Sequence, residues 1–348
     1  MKTTDFDYKL SQDFIAQNPV SPRDSSRLMF LDRASKKIRH HIFKDLSGLL
    51  RSGDVLVFND SKVMPARLFG RKERKGARLE TLLLRDLTNG KWEVLIAPAK
   101  RVRVGTKIYY KKFLTKLVAE VLEDLRDGRF VIQFDKKGLD LFKSFARIGN
   151  APLPPYISTS SSGLRRVKSQ YQTVYAEKLG SAAAPTAGLH FTKKLLKNLK
   201  DKGIQTEFVT LHVGLGTFLP VKTDELTEHK MHSEYFILSE DLASRLNQAK
   251  KEGRRIIAVG TTSIRVLESC TDAFGRIKAS SGETDIFIYP GYKWRFVDAL
   301  ITNFHLPKST LLMLVSSFAG REFILQAYEE AKRNKYRFFS FGDGMMIE

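Results

Sequence analysis

The sequence predicts an α/β fold in which a short, strand-rich segment is inserted into a larger domain of strands and helices. Three observations predict it. Apolar strands alternate with amphipathic helices after residue 151, short strands with turn signals fill residues 62–150, and the 348-residue length suits about two domains at roughly 150 residues each. We therefore expect one discontinuous domain, 1–61 plus 151–348, and one inserted domain, 62–150.

The larger domain contains an apolar run typical of a buried strand, "GDVLVFNDS" at 53–61. After the proline-rich "APLPPYI" at 151–157, helical patterns alternate with strand patterns. Thr192 and Gly203, for example, are suited to begin and end a helix whose leucines share one face. Further strands are expected at 205–214 and 297–305, and a strand that leads into a loop at 254–263. Helices are expected at 192–203, 239–253, from about Pro307, and at 321–334. This alternation predicts a Rossmann-like, three-layer α/β sheet with helices packed on it.

The inserted segment reads as a small β-barrel. Asn89-Gly90 and Asp127-Gly128 are dipeptides that favour tight hairpin turns. The strands they separate are expected at 78–85, 91–98, 105–110, 116–123 and 128–134. Short strands at this spacing are typical of a barrel or sandwich.

The charge balance indicates a polyanionic partner. Lysine and arginine number 59 and aspartate and glutamate 38, which gives a formal net charge of +21. Residues 62–150 hold 22 of the basic residues and 10 of the acidic ones, so a quarter of the chain carries over half of the excess. Nucleic acid is the common polyanion, although a basic surface can also serve solubility alone.

The remaining composition excludes several classes of protein. The single cysteine, Cys270, allows neither an internal disulfide nor a multi-thiolate metal site, which suits a reducing compartment. The first residues show no apolar signal segment, and no apolar run approaches the roughly 20 residues that span a bilayer. We therefore expect a cytoplasmic protein without membrane association.

Several loops combine small residues with polar groups. "SAAAPTAGLHFT" at 181–192 lets the backbone closely approach a ligand or another segment. "LHVGLGTF" at 211–218 carries two glycines, as a ligand loop or a tight turn would. In "AVGTTSIRVLES" (258–269) and "NFHLPKSTLLMLV" (303–315), hydroxyl side chains start helices, which suits either anion binding or ordinary N-capping.

The histidines and acids supply candidate proton-transfer groups. His190, His212 and His305 each adjoin such a loop, and Asp285 lies with Glu283 in "GETDIFIYPG" at 282–291. "HKMH" at 229–232 lacks the context of a helical metal-binding pair, so we expect no metal site. His40 and His41 fit a structural role, and Asp343 between two glycines fits either a close backbone approach or a C-terminal turn.

Long motifs along the chain closely resemble the S-adenosylmethionine:tRNA ribosyltransferase-isomerase family of queuosine biosynthesis. They include "FNDSKVMPARLFG", "PLPPYI", "APTAGLHFT", "TLHVGLGTF", "HKMHSEYF", "VGTTSIRVLES", "TDIFIYPGY", "DALITNFHLPKSTLLMLVSSFAG" and "YRFFSFGDGMMI". The chain departs from the family pattern at Leu219, where Gln or Arg is common, at Gly344, where Ala is common, and in "NDSK", where the family more commonly has "NDTR". The match is weakest at about 100–150.

The resemblance implies a reaction, a fold and partners. The family transfers and isomerises the ribosyl moiety of S-adenosylmethionine onto the 7-aminomethyl-7-deazaguanine wobble base of tRNA, forms epoxyqueuosine, and releases adenine and methionine. Its fold pairs an α/β domain with a smaller β-barrel. For this chain it implies S-adenosylmethionine as a co-substrate with no permanently bound cofactor, a tRNA partner with a GUN-type anticodon, and a monomer.

The resemblance and the loop chemistry together nominate the site residues. Acid–base catalysis is assigned to His190, His212, Asp285 and His305, with no individual roles. Arg265, or the helix start at Ser309 and Thr310, is expected to hold the methionine carboxylate. The substrate-binding candidates are Pro185, Thr186, Gly188, Gly214, Gly216, Thr217, His232, Glu234, Thr261, Thr262, Arg265, Asn303, Lys308, Ser309, Thr310 and Asp343, and the tRNA-binding candidates are Lys62, Arg67, Arg71 and Lys72.

Two other functions fit parts of the sequence. A tRNA methyltransferase would use the same sulfonium donor, but the glycine-rich loop after an early strand that it normally carries is missing near the N-terminus. A non-catalytic RNA-binding module would explain the charge but not the small-residue loops.

Overall fold

The structure is a computed structural model that describes residues 1–73, 76–126, 128–150, 152–154, 156–157, 170–214, 221 and 223–348. Two compact units are present. The first consists of Met1–Lys62, Pro155–Lys178 and Ala184–Glu348, and the second of Val63–Pro154 and Leu179–Ala183. Within the described residues, no helix is long and apolar enough to cross a bilayer.

The strands, in chain order, are β1 Arg27–Asp32, β2 Lys37–Ile42, β3 Val55–Asn59, β4 Ser61–Val63, β5 Arg67–Lys72, β6 Arg78–Asp86, β7 Lys91–Ala97, β8 Lys107–Lys112, β9 Thr115–Asp124, β10 Arg129–Phe134, β11 Lys178–Ser181, β12 Gln205–Leu211, β13 Glu234–Leu238, β14 Ile256–Val259, β15 Ser280–Thr284, β16 Ala299–Asn303 and β17 Gly344–Ile347. The helices are α1 Leu46–Leu49, α2 Gly138–Ile148, α3 Lys193–Asp201, α4 Glu240–Lys251, α5 Thr261–Ser269, α6 Thr310–Ala319 and α7 Arg321–Arg333.

The first unit is built on a nine-stranded sheet in the order β15-β13-β12-β3-β14-β16-β17-β1-β2. Its centre, β12, β3, β14 and β16, is parallel. Every residue of β3, β14 and β16 is buried, as expected for strands covered on both faces. The carboxyl ends of the four strands therefore meet at one edge of the sheet. The mixed α/β class predicted from the sequence is confirmed.

Helix starts follow local capping chemistry. Thr192, Ser239 and Ser309 accept hydrogen bonds from backbone N–H groups of the first turns of α3, α4 and α6. The predicted start near Pro307 is three residues early, because Lys308 has φ +56° and cannot be helical. Likewise the strand expected at 254–263 ends at Val259, since Gly260 at φ +90° turns the chain into α5.

The second unit contains a closed barrel in the order β10-β7-β6-β5-β8-β9. Alternate residues point inward, and Trp92 meets Phe145 of α2 edge-to-face at 5.5 Å. Asn89 and Gly90 both have positive φ, as the predicted tight turn requires. The turn expected at Asp127-Gly128 includes Asp127, which lies outside the described residues. The sequence analysis did not predict β5 or α2.

Helix α5, which carries several site candidates, is fixed to the sheet by Glu268. This buried carboxylate accepts hydrogen bonds from the backbone N–H groups of Arg295, Phe296 and Val297 and from the Tyr292 hydroxyl. These residues lead directly into β16. One side chain thus joins the helix after β14 to the entry of the neighbouring strand.

We expect Glu268→Ala to lower the free energy of unfolding by about 2–5 kcal/mol, since it leaves several buried donors without an acceptor. Denaturant unfolding followed by circular dichroism measures it. The exposed Glu329→Ala on α7 is the matched control and should stay within about 0.5 kcal/mol of the parent. Equal effects for the two variants would contradict the anchoring role.

Candidate functional site

Several buried polar atoms without hydrogen-bond partners lie where the parallel strands end. Native proteins satisfy most buried polar groups, so such a cluster calls for a local reason, and a ligand is one. The carboxyl edge of a parallel sheet is also where ligands of α/β folds bind. In the part of the chain that the structure describes, the atoms at this edge that find no partner are Ser61 Oγ, His212 Nδ1, Thr262 Oγ1, Arg265 Nε and Asn303 Oδ1.

A carboxyl group that the sequence analysis missed, that of Asp60, lies at this edge directly after β3. Only 8% of the residue is exposed, and its carboxylate accepts a 2.7 Å hydrogen bond from Thr210 Oγ1 on the neighbouring strand β12. Burial raises the pKa of Asp60 above its usual range, against the lowering effect of Thr210. In the sequence this acid resembles an ordinary strand end, and the hydrogen bond from Thr210 is what distinguishes it.

His212 directly follows β12, two residues after Thr210. Its backbone N–H donates to Tyr235 O, and its ring stacks on the Tyr235 ring with centroids 6.2 Å apart. Burial lowers the pKa of His212, so its imidazole is neutral near pH 7. A neutral imidazole with an open ring nitrogen can accept a proton.

A buried ion pair fixes the loop that follows His212. Glu234 Oε2 pairs with Arg265 Nη1, and Glu234 Oε1 accepts a 2.7 Å hydrogen bond from the backbone N–H of Gly214. Arg265 Nη2 donates to Thr284 O at 2.9 Å. The structure thus brings three predicted site residues together, and it orients the Arg265 guanidinium with Nε left for another acceptor.

Protein groups bond both ring nitrogens of His190 and stack on its ring. Asn303 Nδ2, an amide donor that also bonds Phe339 O, lies 3.1 Å from His190 Nε2, so Nδ1 carries the proton and donates to Ser26 Oγ at 2.7 Å. The ring stacks on Phe43 at 4.6 Å. Burial, outweighing the nearby Asp343 carboxylate, lowers the pKa of His190 to about 4. Its catalytic role stays a prediction, while these contacts point to a role in positioning Asn303.

Gly188 makes room for a tyrosine. A Cβ at this position would lie 1.8 Å from Tyr175 Oη and 2.9 Å from Thr173 Cγ2. The neighbouring Ala187 lies against Gly260, whose added Cβ would be 3.7 Å from that of Ala187. The small residues of 181–192 therefore let the 3₁₀ turn Thr186–His190 pack against protein at the end of β14, with Pro185 buried and Thr186 half-buried.

His305 is likewise enclosed. Its Nε2 lies 3.0 Å from Thr302 Oγ1, its backbone N–H donates to Tyr328 Oη, and its carbonyl accepts from the Tyr8 hydroxyl. Burial lowers the pKa of His305 to about 3, so the ring is neutral. Its predicted catalytic role also stays a prediction.

The first turns of α5 and α6 differ in burial and in the hydrogen bonds that they already make. Thr261 is buried and Thr262 half-buried in the first turn of α5. At α6, Ser309 Oγ caps the helix and also donates to Leu306 O, as ordinary N-capping predicts. Lys308 forms a 2.7 Å ion pair with Asp7, and Thr310 is half-buried.

The remaining predicted residues differ in burial and in hydrogen bonding. Asp343 is buried and accepts from the backbone N–H groups of Arg27 and Arg337 and from the Arg337 guanidinium, which organises the C-terminal turn. His232 and Asp285 are exposed. Gly216, Thr217 and Leu219 lie outside the described residues.

The predicted tRNA-binding residues sit near the start of the inserted segment. Lys62 and Arg71 are exposed, and Lys72 is half-buried. Arg67 pairs with Glu80 at 2.9 Å. Among the described residues, no group of three or more His, Cys, Asp or Glu side chains could hold a metal ion.

The two enclosed histidines should make stability depend on pH. Their lowered pKa values mean that the unfolded chain binds protons first, so stability is full above about pH 6.5 and is lost as pH falls toward 4. We expect the unfolding free energy to fall by up to about 1.4 kcal/mol per pH unit for each histidine. Urea titrations from pH 7 to 4 test this, and His190→Asn should flatten the slope. A slope identical in parent and variant would refute it.

The packing of Gly188 predicts a steric cost. We expect Gly188→Ala to destabilise the fold by about 1–3 kcal/mol, because the added methyl overlaps Tyr175. Gly48→Ala in α1 is the control, since its Cβ meets nothing within 4 Å and alanine favours helices. Thermal unfolding compares the two, and Tyr175→Phe should relieve part of the loss. If Gly188→Ala were as stable as the parent, Tyr175 would not be the constraint.

Comparisons with known proteins agree with this architecture. The family model "Queuosine biosynthesis protein" matches residues 3–347. S-adenosylmethionine:tRNA ribosyltransferase-isomerases from Staphylococcus haemolyticus and Macrococcus caseolyticus are 52% and 53% identical over 347 residues, covering 100% of each chain. The crystal structure of S-adenosylmethionine tRNA ribosyltransferase from Thermotoga maritima is 38% identical, with a TM-score of 0.57 over 99% of this chain and 100% of that one. The chain therefore belongs to the queuosine biosynthesis protein family, whose members are named as S-adenosylmethionine:tRNA ribosyltransferase-isomerases.

Proposed function

We propose that this enzyme transfers and isomerises the ribosyl moiety of S-adenosylmethionine onto the 7-aminomethyl-7-deazaguanine wobble base of a tRNA with a GUN-type anticodon. Epoxyqueuosine forms in the tRNA, and adenine and methionine leave. S-adenosylmethionine is the co-substrate, no cofactor is permanently bound, and the enzyme acts as a cytoplasmic monomer. Family membership supports the reaction type.

The observation that carries the proposal is the set of unpartnered polar atoms at the carboxyl edge of the sheet. S-adenosylmethionine offers matching groups: a hydrogen-bonding adenine edge, two ribose hydroxyls, an ammonium and a carboxylate. Arg265 Nε suits the carboxylate, because its other nitrogens are already held by Glu234 and Thr284. The start of α5 at Thr261 and Thr262 adds N–H groups favourable to the same anion.

The reaction needs a base and an acid. The sulfonium acidifies the adjacent ribose carbon, whose proton must be removed, and adenine leaves more easily once protonated. We assign the base to His212, whose imidazole is neutral and whose buried Nδ1 has no hydrogen-bond partner among the described residues. We assign the acid to Asp60, which is buried directly after β3 and whose pKa is raised by burial. His190 positions Asn303 in this scheme rather than exchanging protons with the substrate.

The direct test incubates the enzyme with S-adenosylmethionine and tRNA that carries the aminomethyl base. Nucleoside mass spectrometry should find epoxyqueuosine, and the supernatant should contain adenine and methionine in equal amounts. Release of S-adenosylhomocysteine instead would establish a methyltransferase. Binding of tRNA without any conversion would favour the non-catalytic RNA-binding module.

Asp60 and the exposed Asp285 are the two candidates for the general acid. Comparing kcat of their asparagine variants distinguishes between them. We expect Asp60→Asn to lower kcat by about 10²–10⁴-fold while the melting temperature stays near the parent's, because asparagine can still accept from Thr210. Asp285→Asn should leave kcat within a few-fold. The reverse pattern would move the proton-transfer role to Asp285.

The basic residues of the inserted segment should make tRNA binding depend on salt. We expect log Kd to vary linearly with log salt, and Arg71→Ala to reduce the magnitude of the slope by about 1. Lys197→Ala, an exposed lysine on α3 that pairs with Asp201, is the control. Fluorescence anisotropy over a salt series measures both. A slope of zero for the parent would end the phosphate-binding proposal.

A further inference from the structure

The hairpin that joins β8 to β9 ends in two large, exposed apolar side chains. Phe113 is 86% exposed and its neighbour Leu114 is 98% exposed. They form the two-residue connection of the hairpin, since Lys112 pairs with Thr115 across it. Solvent-exposed turns usually carry small polar residues, so an adjacent Phe and Leu at such a tip require a reason other than folding.

The backbone at this tip is also unfavourable for the residue it carries. Phe113 has φ +52°, in the left-handed region that favours glycine, asparagine or aspartate. The same barrel does use a favoured pair elsewhere, since Asn89 and Gly90 occupy the β6–β7 turn. The chain thus retains a bulky apolar residue where a small polar one would fold more easily.

Positive charge further lowers the stability of this hairpin. Lys111 lies directly opposite Lys116 in the antiparallel register, and like charges in facing positions destabilise a hairpin. None of Lys111, Lys112 and Lys116 forms an ion pair with a carboxylate of the described residues. Strain, exposure and repulsion therefore coincide in six consecutive residues, 111–116.

A basic hollow lies beside Leu114 in the same unit. Its volume is about 490 Å³, and its acidic members are Asp135 and Asp140, the latter 3.9 Å from Lys143. The basic side chains that line it are Lys116, Lys136, Lys137, Lys143 and Arg147. Basic groups outnumber acidic ones, so the hollow suits a chain of phosphates.

We propose that the hairpin tip, Phe113 and Leu114, is a docking element for tRNA, in which Phe113 stacks on an unpaired base while the surrounding lysines bind the phosphates. This inference rests on the proposed function, because it takes tRNA as the polyanion. RNA presents base faces and phosphates side by side, which matches an aromatic tip next to a basic hollow. A flat anionic membrane would meet the tip but not the concave surface beside it.

The test replaces the tip without harming the fold. Phe113→Asn supplies a residue that favours the left-handed turn, so the melting temperature should stay equal or rise. Its affinity for an in vitro transcribed tRNA should fall roughly 5- to 150-fold, the range for loss of one stacked base. The salt slope should not change, because no charge is lost. Phe274→Asn, at a 90% exposed phenylalanine of the other unit, is the matched control and should bind like the parent.

A second variant reports the stacking itself. Phe113→Trp should keep its affinity and show indole fluorescence that is quenched when tRNA is added. Unchanged affinity of Phe113→Asn, or no quenching at Trp in a complex that forms, overturns the inference while leaving the proposed function intact. Failure of the parent protein to bind tRNA at all overturns the proposed function instead. Sedimentation with phosphatidylserine vesicles that depends on Phe113, with tRNA affinity unaffected, assigns the tip to membranes and overturns the inference as well.

Discussion

Burial of three central parallel strands, β3, β14 and β16, on both faces is the constraint on which the rest of this structure depends. Strands β3, β14 and β16 have no exposed residue, so polar chemistry cannot be placed along them. The first polar groups occur where the strands end, at Asn59, Asp60 and Asn303. Because parallel strands end at the same edge, the parallel order of the sheet brings together polar groups that are far apart in the chain.

The polar groups at that edge are mostly buried. Their energetic cost therefore depends on whether each one has a hydrogen-bond or ion-pair partner. A buried charge is tolerated when it is paired and hydrogen-bonded, as Glu234 is by Arg265 and by the Gly214 N–H. The same logic separates the histidines. His190 and His305 have protein partners for their rings, whereas His212 keeps one ring nitrogen without a described partner.

The fold class could be predicted because burial periodicity, turn dipeptides and capping residues are local signals, as Asn89-Gly90 and Ser239 illustrate. Strand β5 was missed because "RLFGRK" alternates around a glycine and two arginines, and its pairing with β6 and β8 is what makes it a strand. The family was visible in long motifs. Individual roles were not, since sequence position cannot tell whether a histidine such as His190 is enclosed by protein.

The small residues of 181–192 were expected to let the backbone approach a ligand or another segment, and the group that packs against Gly188 is a protein side chain. Gly188 faces Tyr175, a partner 13 positions earlier that no pattern of residue sizes identifies. Asp60 was overlooked for the opposite reason: a lone acid after an apolar strand resembles an ordinary strand end until Thr210 is seen beside it.

The position of β17 has a consequence for how the protein is made. It pairs with β16 on one side and β1 on the other, so in the strand order of the described residues β17 joins the hairpin β1–β2 to the rest of the sheet, although it follows that hairpin by some 300 residues. During translation, β1 and β2 therefore leave the ribosome long before their neighbour exists. Their apolar residues, including Leu28 and Phe30, therefore lack the pairing with β17 until the last residues of the chain have been made.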